Sequence, residues 1–116
     1  MKNVKNRKIG RETQHRFSTL RSLSTALIEN ESIKTTLPKA KELVKYASKI
    51  ITKAKKGGLA NRRLVLRDIK SSLAISKLFG PLSERFKDRP GGYTRIYKLG
   101  RRVSDGSEMA IVKLVE

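Results

Sequence analysis

The stretch ESIKTTLPKAKELV, Glu31 to Val44, changes its period in the middle. Its first half sets the β-branched Ile33, Thr35 and Thr36 among polar residues, and its second half places Ala40, Leu43 and Val44 at helical spacing. One strand therefore runs directly into one helix. Pro38 lies at the seam, where a fixed φ and a missing N–H suit the first helical turn and would damage a helix interior. Neither element can bury its apolar face alone, so the remainder of the chain must supply the partners. Lys34, Lys39, Lys41 and Lys45 cluster around the joint and fix positive charge on rigid backbone.

That charge extends over the whole molecule. Against 28 lysines and arginines stand 10 aspartates and glutamates, a formal +18 in 116 residues. A free monomer of this kind repels itself and belongs against a polyanion. Nucleic acid is the first partner to consider, and an anionic membrane surface is the alternative. No apolar run approaches the roughly 20 residues of a membrane span, and the opening MKNVKNRKIGRE has no secretory apolar core. The expectation is a soluble intracellular protein of one domain, with no membrane association. Having no cysteine, it has neither disulfides nor a thiolate nucleophile nor a cysteine-based metal site.

Residues 1–16 carry Lys2, Lys5, Arg7, Lys8, Arg11 and Arg16 against the single acid Glu12. With almost nothing apolar to bury, such a segment cannot fold alone. It reads either as a solubilising or organelle-targeting tail or as an arm that orders on RNA, with Gly10 as its flexible point. The expected division is an arm over residues 1–12 and one domain over 13–116. His15, the only histidine, cannot form a metal site alone and has no nearby nucleophile to activate, which leaves contact with a phosphate or a base.

From Thr13, a candidate N-cap, Phe17, Leu20, Ser24, Leu27 and Ile28 share one helical face flanked by Leu23, and Asn30 is a candidate stop. Arg16 and Arg21 lie off that stripe and extend the basic surface of the arm. The second helix, from Pro38 to about Lys56, has Ala40, Leu43, Val44, Ala47, Ile50, Ile51 and Ala54 as its stripe and ends at Gly57-Gly58. Lys53, Lys55 and Lys56 suit the helix C-terminus as well as they suit RNA. A third helix over 59–69 sets Leu59, Leu66 and Ile69 as its apolar residues, with Arg62 and Arg63 near the end where the macrodipole disfavours cations. Something negative should compensate them, either Asp68 at a poor helical spacing or a bound polyanion. Ser71 or Ser72 caps a last helix through Ile75, Leu78, Phe79, Leu82 and Phe86, which Pro81 should kink.

The second informative stretch is Arg89-Pro90-Gly91-Gly92-Tyr93-Thr94-Arg95. Pro-Gly-Gly is a turn signal, and paired glycines allow close approach to a backbone or a phosphate. Arg89 and Arg95 flank it, and Tyr93 is available for stacking on an unpaired base. A helix-to-strand turn with solvated charges is the competing structural reading. Residues 94–99 and 109–115 then alternate as two strands of a hairpin turning at Asp105-Gly106. With the Ile33 strand they make three, enough for a small sheet under about four helices, an α+β domain. No Walker pattern, HExxH or nucleophile elbow occurs, and the scattered acids show no pair at metal spacing. No catalysis, cofactor or small-molecule substrate is expected.

The segments IKTTLPKAKEL (33–43), ANRRL (60–64), KLF (77–79), GGYTRI (91–96) and MAIVKLVE (109–116) resemble the bacterial large-subunit ribosomal protein seventeen family along nearly the whole chain. The resemblance implies a compact domain with a small mixed sheet and a basic amino-terminal extension. Its implied partners are large-subunit ribosomal RNA near the nascent-chain exit tunnel and neighbouring ribosomal proteins, with no cofactor. The tail here is less arginine-rich than in relatives, and the carboxy-terminal extension of longer members is not expected. A free RNA- or DNA-binding regulator shares the charge, and an RNA-processing enzyme would need an acid or base beside the arginines.

Overall fold

The computed structural model describes the backbone of residues 11–115 and the side chains of residues 17–115. Its centre is the strand-to-helix joint: β1 (Ser32–Thr36) passes without a loop into α2 (Leu37–Lys56). Thr36 holds the extended conformation of an N-cap, and Pro38 lies in the first turn, where no hydrogen bond needs its nitrogen. Leu37, Ala40, Leu43, Ala47, Ile50, Ile51 and Ala54 of α2 are buried, with Val44 at the edge of the stripe. Gly57 closes α2 with φ +68°, a conformation that costs glycine little, and its N–H donates to the Lys53 carbonyl at 3.2 Å.

Helix α1 (Arg11–Asn30) takes in Arg11 and Glu12, ahead of the expected cap at Thr13. It buries Leu20, Ser24, Leu27 and Ile28, whereas Phe17, one turn before the first buried residue, is exposed. After Asn30 the chain reverses through Glu31, whose φ of +66° is the left-handed conformation that a residue with a Cβ rarely adopts. The contacts there hold it in place. Its N–H donates to the Leu27 carbonyl at 2.6 Å, and its carbonyl accepts from the Leu114 N–H at 3.0 Å. Its carboxylate lies between Lys77 at 3.0 Å and Arg85 at 2.9 Å. The Lys77 hydrogen bond, with Arg85 behind it, pulls the Glu31 carboxyl below the ordinary carboxylate range despite partial burial.

Helix α3 (Gly58–Asp68) buries Val65, and Ile69 directly follows it in the core. Leu59 and Leu66, the expected apolar residues of this helix, are instead exposed, because α3 docks on α2 along the Val65 side. Successive residues of a helix are about 100° apart, so choosing Val65 over Leu66 turns the buried face toward another neighbour. Helix α4 (Ser72–Lys77) is capped by the Ser71 hydroxyl, which accepts the Ala74 N–H at 3.2 Å. It continues through a widened, π-type turn over Leu78–Leu82 into a final helical turn, Ser83–Arg85. The kink expected at Pro81 is there, with Gly80 outside helical geometry.

Strands β2 (Thr94–Arg101) and β3 (Glu108–Leu114) complete a sheet of order β1-β3-β2, antiparallel throughout. The α+β class of the sequence reading stands, but the sheet is not the mixed one that the family resemblance implied. The hairpin makes β3 antiparallel to β2, and β3 then enters the centre, running against β1 as well. Ala110, Val112 and Leu114 of β3 and Thr35 of β1 are buried on the face against the helices. Among the described residues no helix is long and apolar enough to cross a membrane.

Asp68 ties three helices together. Tyr46 of α2 donates its hydroxyl to Asp68 Oδ1 at 2.8 Å, and Arg21 Nε of α1 donates to the same oxygen at 3.3 Å. Burial first, and then the Asp68 carboxylate, push the Tyr46 phenol from 10.0 up to about 12. A tyrosine pKa raised by folding contributes stability that is complete below pH 10.0 and is lost as pH climbs toward about 12, because the unfolded chain gives up that proton first. An absorbance titration is expected to show a tyrosine phase near 12 that Tyr46→Phe removes. A titration unchanged by that substitution contradicts the arrangement.

Candidate nucleic-acid interface

The interface is defined by which charges the fold neutralises. Asp68 takes Arg21 at 3.3 Å, Glu31 takes Lys77 and Arg85, Glu84 takes Lys87 at 3.3 Å, and Asp105 takes Arg102 at 2.9 Å. In the last pair the Arg102 guanidinium holds the Asp105 carboxyl far below the usual carboxylate range. The acids are thus largely engaged within the domain. Lys34, Lys39, Lys41, Arg62, Arg63 and Arg95 are all exposed, and none has a carboxylate partner among the described residues.

Rigid elements place these cations. Lys39 and Lys41 stand on the first turns of α2, and Lys41, Lys45 and Lys49 continue at four-residue spacing as an exposed row along its solvent face. Successive members of such a row are about 6 Å apart along the axis. The charge run is thus a ridge fixed by a helix whose other face is core. Arg62 lies over the Phe79 ring at 4.6 Å, which orients its guanidinium without neutralising it. Arg63 stands one residue further round α3, and Asp68, the expected intramolecular partner for this pair, is taken by Arg21 and Tyr46 instead. Arg21 is exposed as expected but spends its charge on Asp68.

The Pro-Gly-Gly turn is built differently from the sequence reading. Gly92 adopts φ +64°, and a Cβ at either Gly91 or Gly92 would meet nothing within 4 Å. The requirement at Gly92 is therefore one of backbone conformation, and no part of the protein presses against it. Gly92→Val is expected to lower the melting temperature of the free protein through strain alone, and an unchanged melting curve would remove the positive φ from the account. Tyr93 must be reassigned. It is 1% exposed, its ring centroid lies 5.1 Å from that of Phe86, and its hydroxyl lies 3.0 Å from that of Thr52. Lys55 Nζ donates to the Tyr93 hydroxyl at 3.1 Å and to the Arg89 carbonyl, tying the turn to α2. No base can stack on that ring. Tyr93 is an anchor of the fold, held by Phe86 on one side and by Thr52 and Lys55 of α2 on the other.

Arg89 is half-buried beside this anchor, whereas Arg95 is exposed on β2. Arg95 pairs across the sheet with Lys113, and Tyr97 with Ile111. Tyr97 and Lys113 were not singled out from the sequence, although the alternation Arg95, Ile96, Tyr97 carries the signal: Arg95 and Tyr97 must share one face. The candidate contacts of Lys2, Lys5, Arg7, Lys8, Arg11, His15 and Arg16 lie outside the described side chains. Among the described residues no three histidine, cysteine or acidic side chains come together as a metal site.

Residues 19–115 match the family model described as Ribosomal protein L17. The chain belongs to the ribosomal protein L17 family. Among its relatives is the large ribosomal subunit protein bL17 of Salinibacter ruber, 55% identical over 112 residues, covering 97% of this chain and 57% of that protein. The bL17 proteins of Zymomonas mobilis and Erythrobacter litoralis are 52% and 49% identical over 113 residues, covering 97% of this chain and 81% of each relative. The chain thus spans little more than half of the Salinibacter relative and most of the other two. The L17 match includes the joint, the kinked helix and the whole sheet.

Proposed function

We propose that this chain is a structural constituent of the large ribosomal subunit in the cytoplasm, holding ribosomal RNA through its basic surface and packing against neighbouring ribosomal proteins. Its role is to bind and position, without catalysis, a cofactor or a small-molecule substrate. The observation that carries this reading is the set of exposed cations left without carboxylate partners among the described residues of β1, α2, α3 and β2, while Glu31, Asp68, Glu84 and Asp105 are paired inside the domain. A fold that pairs these four acids internally, and still presents Lys34, Lys39, Lys41, Arg62, Arg63 and Arg95, is organised for an external polyanion. Membership of the L17 family, with relatives named as large-subunit proteins, supports ribosomal RNA as that polyanion.

Lys2, Lys5, Arg7, Lys8, Arg11, His15 and Arg16 add an arm to this surface in the proposed arrangement. The test is competition binding of the purified chain to large-subunit ribosomal RNA fragments against random duplex DNA at equal salt. Preference for one or a few ribosomal fragments supports the reading. Equal affinity for every fragment and for duplex DNA returns the chain to the class of free nucleic-acid binders.

A further inference from the structure

Among the described residues, the helices cover one face of the sheet and none packs on the other. On the open face the register sets Ser32, Lys113 and Arg95 in one row across β1, β3 and β2, and Lys34, Ile111 and Tyr97 in the next. Tyr97 is 52% exposed, and Leu99, at the bulge where the pairing shifts between Lys98 and Gly100, is 48% exposed. Neighbouring strands are about 4.8 Å apart, and same-face residues along a strand about 7 Å. By those spacings Arg95 lies one step along the strand from Tyr97, Lys113 is beside Arg95, and Lys34 is two strands across. The residues in these two rows include three cations and no acid. The Tyr97 hydroxyl makes no hydrogen bond to any described residue, in contrast to the buried Tyr93 and the half-buried Tyr46.

We propose that this open sheet face is a stacking platform for an unpaired nucleotide of ribosomal RNA, with the base on the Tyr97 ring and its flanking phosphates met by Arg95, Lys113 and Lys34. The proposal rests on the RNA-binding reading above and assigns to one named surface a mode of contact that the lysine ridge of α2 cannot supply. Lysines contact phosphates and do not distinguish a paired from an unpaired strand, whereas a ring exposed on a rigid sheet accepts only a base that has left its helix. Charge decides the occupant. The apolar surface formed by Tyr97 and Ile111 is bordered by Lys34, Arg95 and Lys113, and a nucleotide brings a flat apolar ring with anions on both sides of it. A partner protein would have to bring an acidic rim of its own.

The test uses the full chain and transcribed large-subunit ribosomal RNA as the probe. Tyr97→Ala is expected to bind about 5- to 150-fold more weakly, the loss of one stacked base. The melting temperature should change little, because the ring is half exposed. Tyr97→Phe, which keeps the ring, should recover most of the loss. The chain contains no tryptophan, so Tyr97→Trp places a single indole at this position, and stacking should quench its fluorescence when RNA is added. Wild-type affinity in Tyr97→Ala together with an unquenched indole overturns the proposal while leaving RNA binding intact. The same result with loss of Tyr97→Ala from assembled large subunits would also overturn it, by making the face a protein contact. Failure of the wild-type chain to bind the transcript removes the underlying RNA-binding reading instead.

Discussion

Raising salt from about 50 to 200 mM is expected to weaken binding of this chain to structured ribosomal RNA by roughly three to five decades, if it neutralises about 6 to 10 phosphates as on a duplex. The reason lies in how its charge is distributed. The formal +18 reflects 28 cations against 10 acids, the cations named above have no carboxylate partner among the described residues, and only three phenylalanines and three tyrosines are present to supply contacts that do not depend on salt. Of these, Phe86 and Tyr93 are core and Tyr46 is committed to Asp68. Each phosphate contact releases condensed counterions, so the slope of log affinity against log salt counts the contacts made. Removing Lys39 or Lys41 should reduce that slope by somewhat less than one each, at little cost to stability, since both are exposed and unpaired. A nearly salt-independent affinity would contradict the electrostatic account.

Tyr93→Ala is expected to destabilise the domain by about 3 to 5 kcal/mol, the range for truncating a large buried aromatic ring. For a domain of this size that lowers the melting temperature by roughly 12 °C or more. The loss is of packing against Phe86 and of the hydroxyl that Thr52 and Lys55 share. Tyr93→Phe keeps the ring and gives up only those polar contacts, at about 0.5 to 1.5 kcal/mol. Differential scanning calorimetry of both variants separates an anchoring role from a ligand-contacting one. If Tyr93→Ala melts like the wild type and loses RNA affinity instead, the ring is not the core element described above.

The contrast between Tyr93 and Tyr97 shows what the sequence can and cannot disclose. Period and turn chemistry are local, and they were legible: the joint at Pro38, the α2 stripe, the glycine closing α2, a serine cap at Ser71 or Ser72, the kink at Pro81 and the hairpin at Asp105-Gly106 all rest on residues within a few positions of one another. Burial is not local. Tyr93 is in the core because Thr52 and Lys55, about forty positions earlier, stand opposite it, and no spacing around the Pro-Gly-Gly turn encodes that. Leu66 and Val65 are adjacent and both apolar, so which one faces α2 depends on how α3 docks. The Arg21 to Asp68 pair spans 47 positions and decides which arginines remain unpaired. Glu31 is a further case, since besides the local bond to Leu27 its left-handed conformation is held by Lys77, Arg85 and Leu114 arriving from the other half of the chain. Basic character was thus readable from composition, whereas the identity of the uncompensated cations required the fold.

Sucrose-gradient sedimentation of cell extract, with the chain followed by immunodetection before and after ribosomal subunits are dissociated, tests the central claim most directly. The account predicts that the chain travels with intact ribosomes and, after dissociation, with the large subunit alone, and that high salt strips it from those fractions. A chain that stays at the top of the gradient, or follows the small subunit or bulk DNA, would contradict the proposed role in the large ribosomal subunit.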